Sequence, residues 1–275
     1  MKKFAWLVVA LVALWPATSR AAGSAEITLI PTRIVMEPTD RYGTVEVKNT
    51  GQATGNFTTD LVDMKMTDKG LVVPLDAGEK DEFSAQAYLH MAPRSFSLKP
   101  GETQAVRLLL RKPEGMAAGE YRTHLQVRLA NDNVDAAPPT KEHAAGIAVK
   151  TNIVLVIPVI VRHGETHYTM KIEDAKLTHD AQGKPVLDLN LSREGNRSSM
   201  GDITVTYTGP GGTATVLKKY PGVPVYRPTP KRFVEVPLDV PAGVSLNGGV
   251  LDITYNAQEK EGGKLLAEAK LPLGR

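Results

Sequence analysis

The chain has no cysteine, and aromatic residues make up only 5% of it. Without disulfides, a small cross-linked scaffold is excluded, and the fold must be held by its apolar core alone. Long helical periodicity is absent: glycine and proline recur at short intervals through all 275 residues. No Lys/Arg cluster with interleaved aromatics follows the first residues, so nucleic acid is not an expected partner. The longest unbroken apolar run after them, Ile153–Val161, falls far short of the ~20 residues a membrane span needs. No P-loop, no G-x-G-x-x-G in a βαβ setting and no nucleophile elbow occurs. His163 and His167 stand four apart in HGETH without the protease glutamate or a third ligand, and Ser198-Ser199 lacks the strand–turn–helix setting of a nucleophile. The chain is therefore expected not to be an enzyme and to carry no metal or cofactor.

Met1-Lys2-Lys3, the apolar Phe4–Trp15 and the short polar Pro16–Ala21 read as an export signal cleaved after Ala21. Its removal takes away Lys2, Lys3 and Arg20 and lowers the formal charge from +3 to 0, so the basic balance belongs to the targeting segment. The remaining roughly 250 residues are enough for two domains with separate cores.

Those residues read as short alternating strands punctuated by turns. In the first half they are Ile27–Met36, Thr44–Lys48, Asn56–Met64, Leu71–Pro74, Ser95–Leu98, Gln104–Arg111 and Glu120–Leu129. Pro31 inside the first predicts a bulge or a switch between sheets, because proline cannot serve a central ladder. After the polar loop Asn131–Glu142 comes Ala144–Arg162, AAGIAVKTNIVLVIPVIVR, one overlong strand. Its second half is apolar on both faces, as in a strand buried between layers. Its first half alternates, with Ala145, Ile147, Val149 and Thr151 on one face. A strand that outruns its sheet offers unpaired backbone to another chain. His163–His167 is the expected linker, and seven further strand candidates follow, separated by turns such as Gly209-Pro210-Gly211-Gly212 and Asn247-Gly248-Gly249. The fold class is all-β, with two immunoglobulin-like sandwiches in tandem. The expected division is 1–21 signal, 22–163 first domain and 168–275 second domain.

Four features resemble one known family. They are Pro31-Thr32-Arg33-Ile34 followed sixteen residues after Arg33 by Asn49; the block PRSFSLKPGETQAVRL at 93–108; GEYRTHLQVR at 119–128; and the strand containing Pro158. Together they resemble the periplasmic pilus-assembly chaperones of the chaperone–usher pathway, the PapD-like superfamily, across the first domain. SREGNRSSMGDI extends the likeness weakly into the second. The resemblance implies two sandwiches set at an angle with a cleft between them. It also implies strand donation to pilus or fimbrial subunits, delivery to an outer-membrane usher, a periplasmic location, and a basic pair that grips the subunit's C-terminal carboxylate. Carried over, the cleft arginine falls on Arg33. The family's lysine position falls on Ile153, and Lys150 is the nearest basic residue. The Lys150 register gives Ala145, Ile147 and Val149 as donor residues; the alternate one, Ala144, Gly146 and Ala148, has little side chain to donate. The competing reading is a structural or adhesive surface protein of tandem sandwiches.

Overall fold

The computed structural model describes residues 24–130 and 154–274. The proposed signal segment, Lys150 and the donor candidates Ala145, Ile147 and Val149 lie outside the described residues. Among the described residues the protein is all-β, with two single turns of 3-10 helix, and no helix is long and apolar enough to cross a membrane.

The first sandwich is built from β1 (Ile27–Ile30), β2 (Ile34–Met36), β3 (Tyr42–Asn49), β4 (Gly55–Val62), β7 (Leu89–Ala92), β8 (Ser95–Leu98), β9 (Thr103–Leu110), β10 (Gly119–Ala130) and β11 (Val154–His163). One sheet runs β1-β3-β9-β7 and the facing one β2-β11-β10-β4-β8. The short hairpin β5 (Met64–Met66) and β6 (Val72–Pro74) stands apart from both. Period-two alternation places Val45 and Val47, Val106 and Leu108, Leu125 and Val127, and Val159 and Val161 in one core. The second sandwich packs β12 (Tyr168–His179), β13 (Pro185–Gly195) and β16 (Lys231–Pro237) against β15 (Ala214–Val225), β14 (Ser199–Thr208), β17 (Val250–Ala257) and β18 (Leu265–Pro272). Its separate core is centred on Leu187, Leu189, Leu191, Ile203, Val205, Leu251 and Ile253.

The proline expectation at position 31 resolves as a sheet switch. β1 pairs with β3 in one sheet, whereas β2, three residues on, pairs in parallel with β11 in the other. The expected strand Leu71–Pro74 is β6, the second arm of the hairpin, whereas β7 is an addition to the sequence reading: LHMA is short and flanked by Tyr88 and Pro93, so its periodicity is hard to see. Asn49 closes the end of β3. Its fully buried side chain donates to the carbonyls of Ala53 (2.8 Å) and Leu98 (3.0 Å) and accepts from the amides of Glu26 (3.3 Å) and Gly51 (3.0 Å). Every polar valence of the amide is used, which explains a buried asparagine where the strand pattern calls for an apolar residue.

The described part of the overlong strand, β11, is asymmetric along its length. Val154 to His163 all face β10, but β2 covers the other edge only from Val159 to Val161. The outer edge of Val154–Pro158 therefore has no β2 partner, and Val154 is 41% exposed. Pro158 sits one residue before the β2 pairing begins, where a missing N–H leaves no β2 ladder bond unmade. Further along, Ile160 turns away from the first core and packs with Met66 of the hairpin and Tyr226 of the second sandwich. That contact accounts for an apolar residue at Ile160 on the face turned away from the first core.

Candidate functional site: an arginine cleft between the sandwiches

The two sandwiches meet around the start of β10. Glu120 is almost wholly buried; its amide donates to the Asn196 carbonyl (2.9 Å) and its carbonyl accepts from Arg227 Nη1 (3.1 Å). Its carboxylate accepts from the Ser198 amide (3.2 Å) on one oxygen and from Arg162 Nε (3.4 Å) on the other. Asn196 completes the joint, since its Nδ2 reaches the carbonyls of Ala118 (3.4 Å) and Glu165 (3.1 Å) while its Oδ1 accepts from the His167 amide (2.9 Å). The guanidinium of Arg122 stacks 4.4 Å from the Tyr226 ring centroid, and that of Arg227 lies 3.4 Å from that of Phe83. The hairpin adds a strut: the Phe233 amide donates to the Asp68 carbonyl (2.7 Å) and the Thr229 hydroxyl to the Met66 carbonyl (3.2 Å). SREGNRSSMGDI, the weakly matching segment, thus supplies Asn196, Arg197 and Ser198 to the junction.

Burial changes the chemistry of the β10 face that turns toward this joint. His124 is held to about 3, first because burial penalises the imidazolium and second because Arg122 repels it, with a hydrogen bond to the Val62 backbone opposing. Burial likewise lowers the Arg122 pKa and raises that of Tyr226. Glu120, Arg122 and His124 are successive outward residues of a strand whose inward ones alone were singled out by pattern. Glu120 and Arg122 are buried because the second sandwich and the hairpin meet them, through Ser198 and Arg227 for the first and Met64 and Tyr226 for the second.

Beside the joint opens a cleft of about 500 Å³ lined by Arg33, Val35, Glu37, Arg162, Arg197 and Glu261. Arg33 immediately precedes β2, Arg162 is the penultimate residue of β11 and Arg197 lies in the turn before β14, so three separate elements deliver three guanidinium groups. They converge on one carboxylate. Glu261 Oε1 lies 3.6 Å from Arg33 Nη2 and 4.0 Å from Arg162 Nη2, and its Oε2 lies 3.4 Å from Arg197 Nη2. Arg162 is tied further by Glu37 through Nη1 and by Glu120 through Nε. Chemically the arrangement is a carboxylate seat, since guanidinium forks match that group's planar geometry.

Of the site residues expected from sequence, Arg33 lies in this cleft, with its side chain 12% exposed. Among the described residues, the basic groups that accompany it are Arg162 and Arg197. Arg162 reads in the sequence only as the last residue of the overlong strand; its role becomes visible once β10 and β11 are in register and it stands opposite Glu120. Arg197 comes from the other sandwich and has no local signal beyond lying in the weakly matching segment. Two serines singled out by sequence are hydrogen-bonded within the second sandwich. The Ser198 hydroxyl accepts from the Arg227 amide (2.9 Å), and that of Ser199 lies 3.2 Å from the Tyr255 hydroxyl. Among the described residues no group of three His, Asp or Glu is placed to hold a metal ion.

No family model matches the chain, and no curated protein does. Many of the solved structures similar to it are fimbrial chaperones. They include the class 5 fimbriae chaperone CfaA, at 11% identity and a TM-score of 0.47 over 91% of this chain and 100% of that one. The E. coli chaperone DraB is similar at 12% identity and a TM-score of 0.42, over 90% and 98%. A chain from the Salmonella enterica SafA pilin in complex with the SafB chaperone is similar at 15% identity and a TM-score of 0.43, over 92% and 99%. These are low-identity likenesses of overall fold, and the chemistry assigned below comes from the cleft's own residues.

Proposed function

We propose that the protein is a periplasmic chaperone that binds pilus or fimbrial subunits by strand donation and passes them to an outer-membrane usher. The observation that carries this reading is a three-arginine carboxylate seat at the end of an open strand edge. β2 runs parallel to β11 and starts directly after Arg33. A partner strand on the uncovered edge of Val154–Pro158 that ends at Arg33 runs in the same direction and brings its C-terminal carboxylate to the guanidinium groups. Strand addition supplies main-chain hydrogen bonds, and alternate side chains supply specificity. Arg33 is the first anchor in this scheme, and Arg162 is the basic partner that β11 itself delivers, with Lys150 further upstream in sequence. Ala145, Ile147 and Val149 are the side chains on loan, continuing the donor segment beyond Val154. The scheme needs no nucleotide, metal or other cofactor, because completing the partner's sandwich drives it.

The test is co-expression with a candidate pilin. A soluble 1:1 complex recovered from the periplasm, lost in Arg33→Ala while that variant stays folded, is the expected result. Unchanged pilin survival with and without the chain contradicts the chaperone role.

A further inference from the structure

We infer that Glu261 is a built-in occupant of the arginine seat, a carboxylate that holds the three guanidinium groups in the free chain and leaves when a partner's carboxylate arrives. The inference rests on the carboxylate-seat reading above and adds a competitor to it.

Three carboxylates serve Arg162, and they differ in kind: Glu37, half exposed, pairs with Nη1 alone and is shared with neither Arg33 nor Arg197. Glu120 has a side chain only 1% exposed, accepts from the Ser198 amide and lies in the joint between the sandwiches. Glu261 is 20% exposed and reaches its three arginines at 3.4 to 4.0 Å. Charge-assisted hydrogen bonds close to about 2.7–2.9 Å when they are tight. Glu261 therefore balances the charge of the seat without filling it closely, and the open cleft leaves room beside it.

The backbone that carries Glu261 suits exchange. The residue ends a single helical turn, Glu259–Glu261, in the β17–β18 connection. Gly262 (φ +92°) and Gly263 (φ +62°) follow, both left-handed, and a Cβ on either would meet nothing within 4 Å. With open space beside both glycines, the Glu261 side chain has room to re-aim while the turn keeps its own hydrogen bonds, from the Gly262 and Gly263 amides to the Glu259 (2.9 Å) and Gln258 (3.2 Å) carbonyls. Without Glu261, Arg162 would keep Glu37 and Glu120, but Arg33 and Arg197 would lose the carboxylate they share with it; a tethered carboxylate keeps the three aimed at one point until it is displaced. The ion pair of Arg33 is with this group, so the residue assigned as first anchor is engaged before any partner binds.

The test uses the purified chain and an N-acetylated hexapeptide of alternating threonine and valine, made with a free C-terminal carboxylate and as the carboxamide. Binding is followed through the arginine Nε–Hε resonances. Wild type should prefer the carboxylate peptide. Glu261→Gln should bind that peptide about tenfold more tightly than wild type, equivalent to about 1.4 kcal/mol, with the carboxamide affinity unchanged. Glu261→Asp keeps the charge but draws it back by about 1.5 Å and should fall between the two; it carries the test if the glutamine variant does not fold. Wild-type or weaker affinity in both variants, with the carboxylate preference intact, overturns the competitor role and leaves the seat standing. Equal binding of both peptides by wild type, the Glu261 variants and Arg33→Ala overturns the seat reading and this inference with it.

Discussion

At the scale of single residues, two buried polar groups control more stability than their size suggests. Asn49, itself fully buried, fills all four hydrogen-bonding valences of its amide. In Asn49→Ala, two carbonyls and two amides lose their partner at once. Each group left unsatisfied costs about 1–3 kcal/mol, so a loss of at least about 3 kcal/mol is expected in urea unfolding, with an unchanged m-value. His124 acts through pH. Its native pKa, near 3, lies below the ordinary 6.5 of an unfolded histidine, so the unfolded chain binds the extra proton between those values. Stability from this group is complete above pH 6.5 and is lost as the pH falls toward 3, with a limiting slope of about 1.4 kcal/mol per pH unit. His124→Gln should flatten that part of the stability–pH curve; an unchanged acid limb would contradict the burial account. Asn49 was noticed in the sequence through its spacing from Arg33, but nothing in GEYRTHLQVR tells that its histidine is buried. That follows only from what covers the strand.

At the scale of elements, alternation was the legible signal. Val45 and Val47, Val106 and Leu108, and Leu125 and Val127 lie inward because a period of two leaves a sandwich strand no other way to bury them. The strand candidates of the second half correspond to β12–β18, although β12, β13 and β15 run longer than their apolar centres. What pattern does not carry is pairing. That β2 covers only Val159–Val161, and so leaves Val154–Pro158 without a strand partner on that edge among the described residues, is a matter of register between segments more than a hundred residues apart. The same holds for Arg162, which gains its meaning from standing opposite Glu120. If the open edge is the loading edge, the donor side chains that precede it matter for capture and not for folding. Ile147→Asp combined with Val149→Asp should abolish pilin recovery, since burying each apolar side chain contributes roughly 1.5–3 kcal/mol, while the melting temperature of the free chain stays within a degree or two. A variant that captures pilin normally would place the donor residues elsewhere.

At the scale of the whole molecule, the two sandwiches are joined by buried polar chemistry rather than by a large shared core. Met66, Ile160 and Tyr226 form a small apolar contact, and Glu120 gathers Ser198, Arg162, Asn196 and Arg227 around it. Glu120 is the one carboxylate buried in the joint itself, and neutralising it removes the charge that ties Ser198 to Arg162, although Arg162 keeps Glu37 and Glu261. Glu120→Gln should therefore uncouple the sandwiches, and calorimetry should resolve two unfolding transitions where wild type gives one. A single transition at the wild-type temperature would show that the joint does not depend on this charge. The cleft beside the joint exists because residues from both sandwiches meet there, with Arg33 and Arg162 from the first and Arg197 and Glu261 from the second. Only Arg33 could be assigned from sequence, because it alone sits inside a recognisable local motif.

The central claim is that this cleft reads a partner's C-terminal carboxylate. The most direct measurement is the recovery of a candidate pilin from the periplasm with wild type and with Arg33→Ala, for the native pilin and for the same pilin lengthened by two glycines at its C-terminus. The account predicts capture of the native pilin by wild type, and its loss both with the variant and with the extension, while the melting temperature of the variant remains that of wild type. Equal recovery of native and extended pilin by the wild-type chain would contradict it.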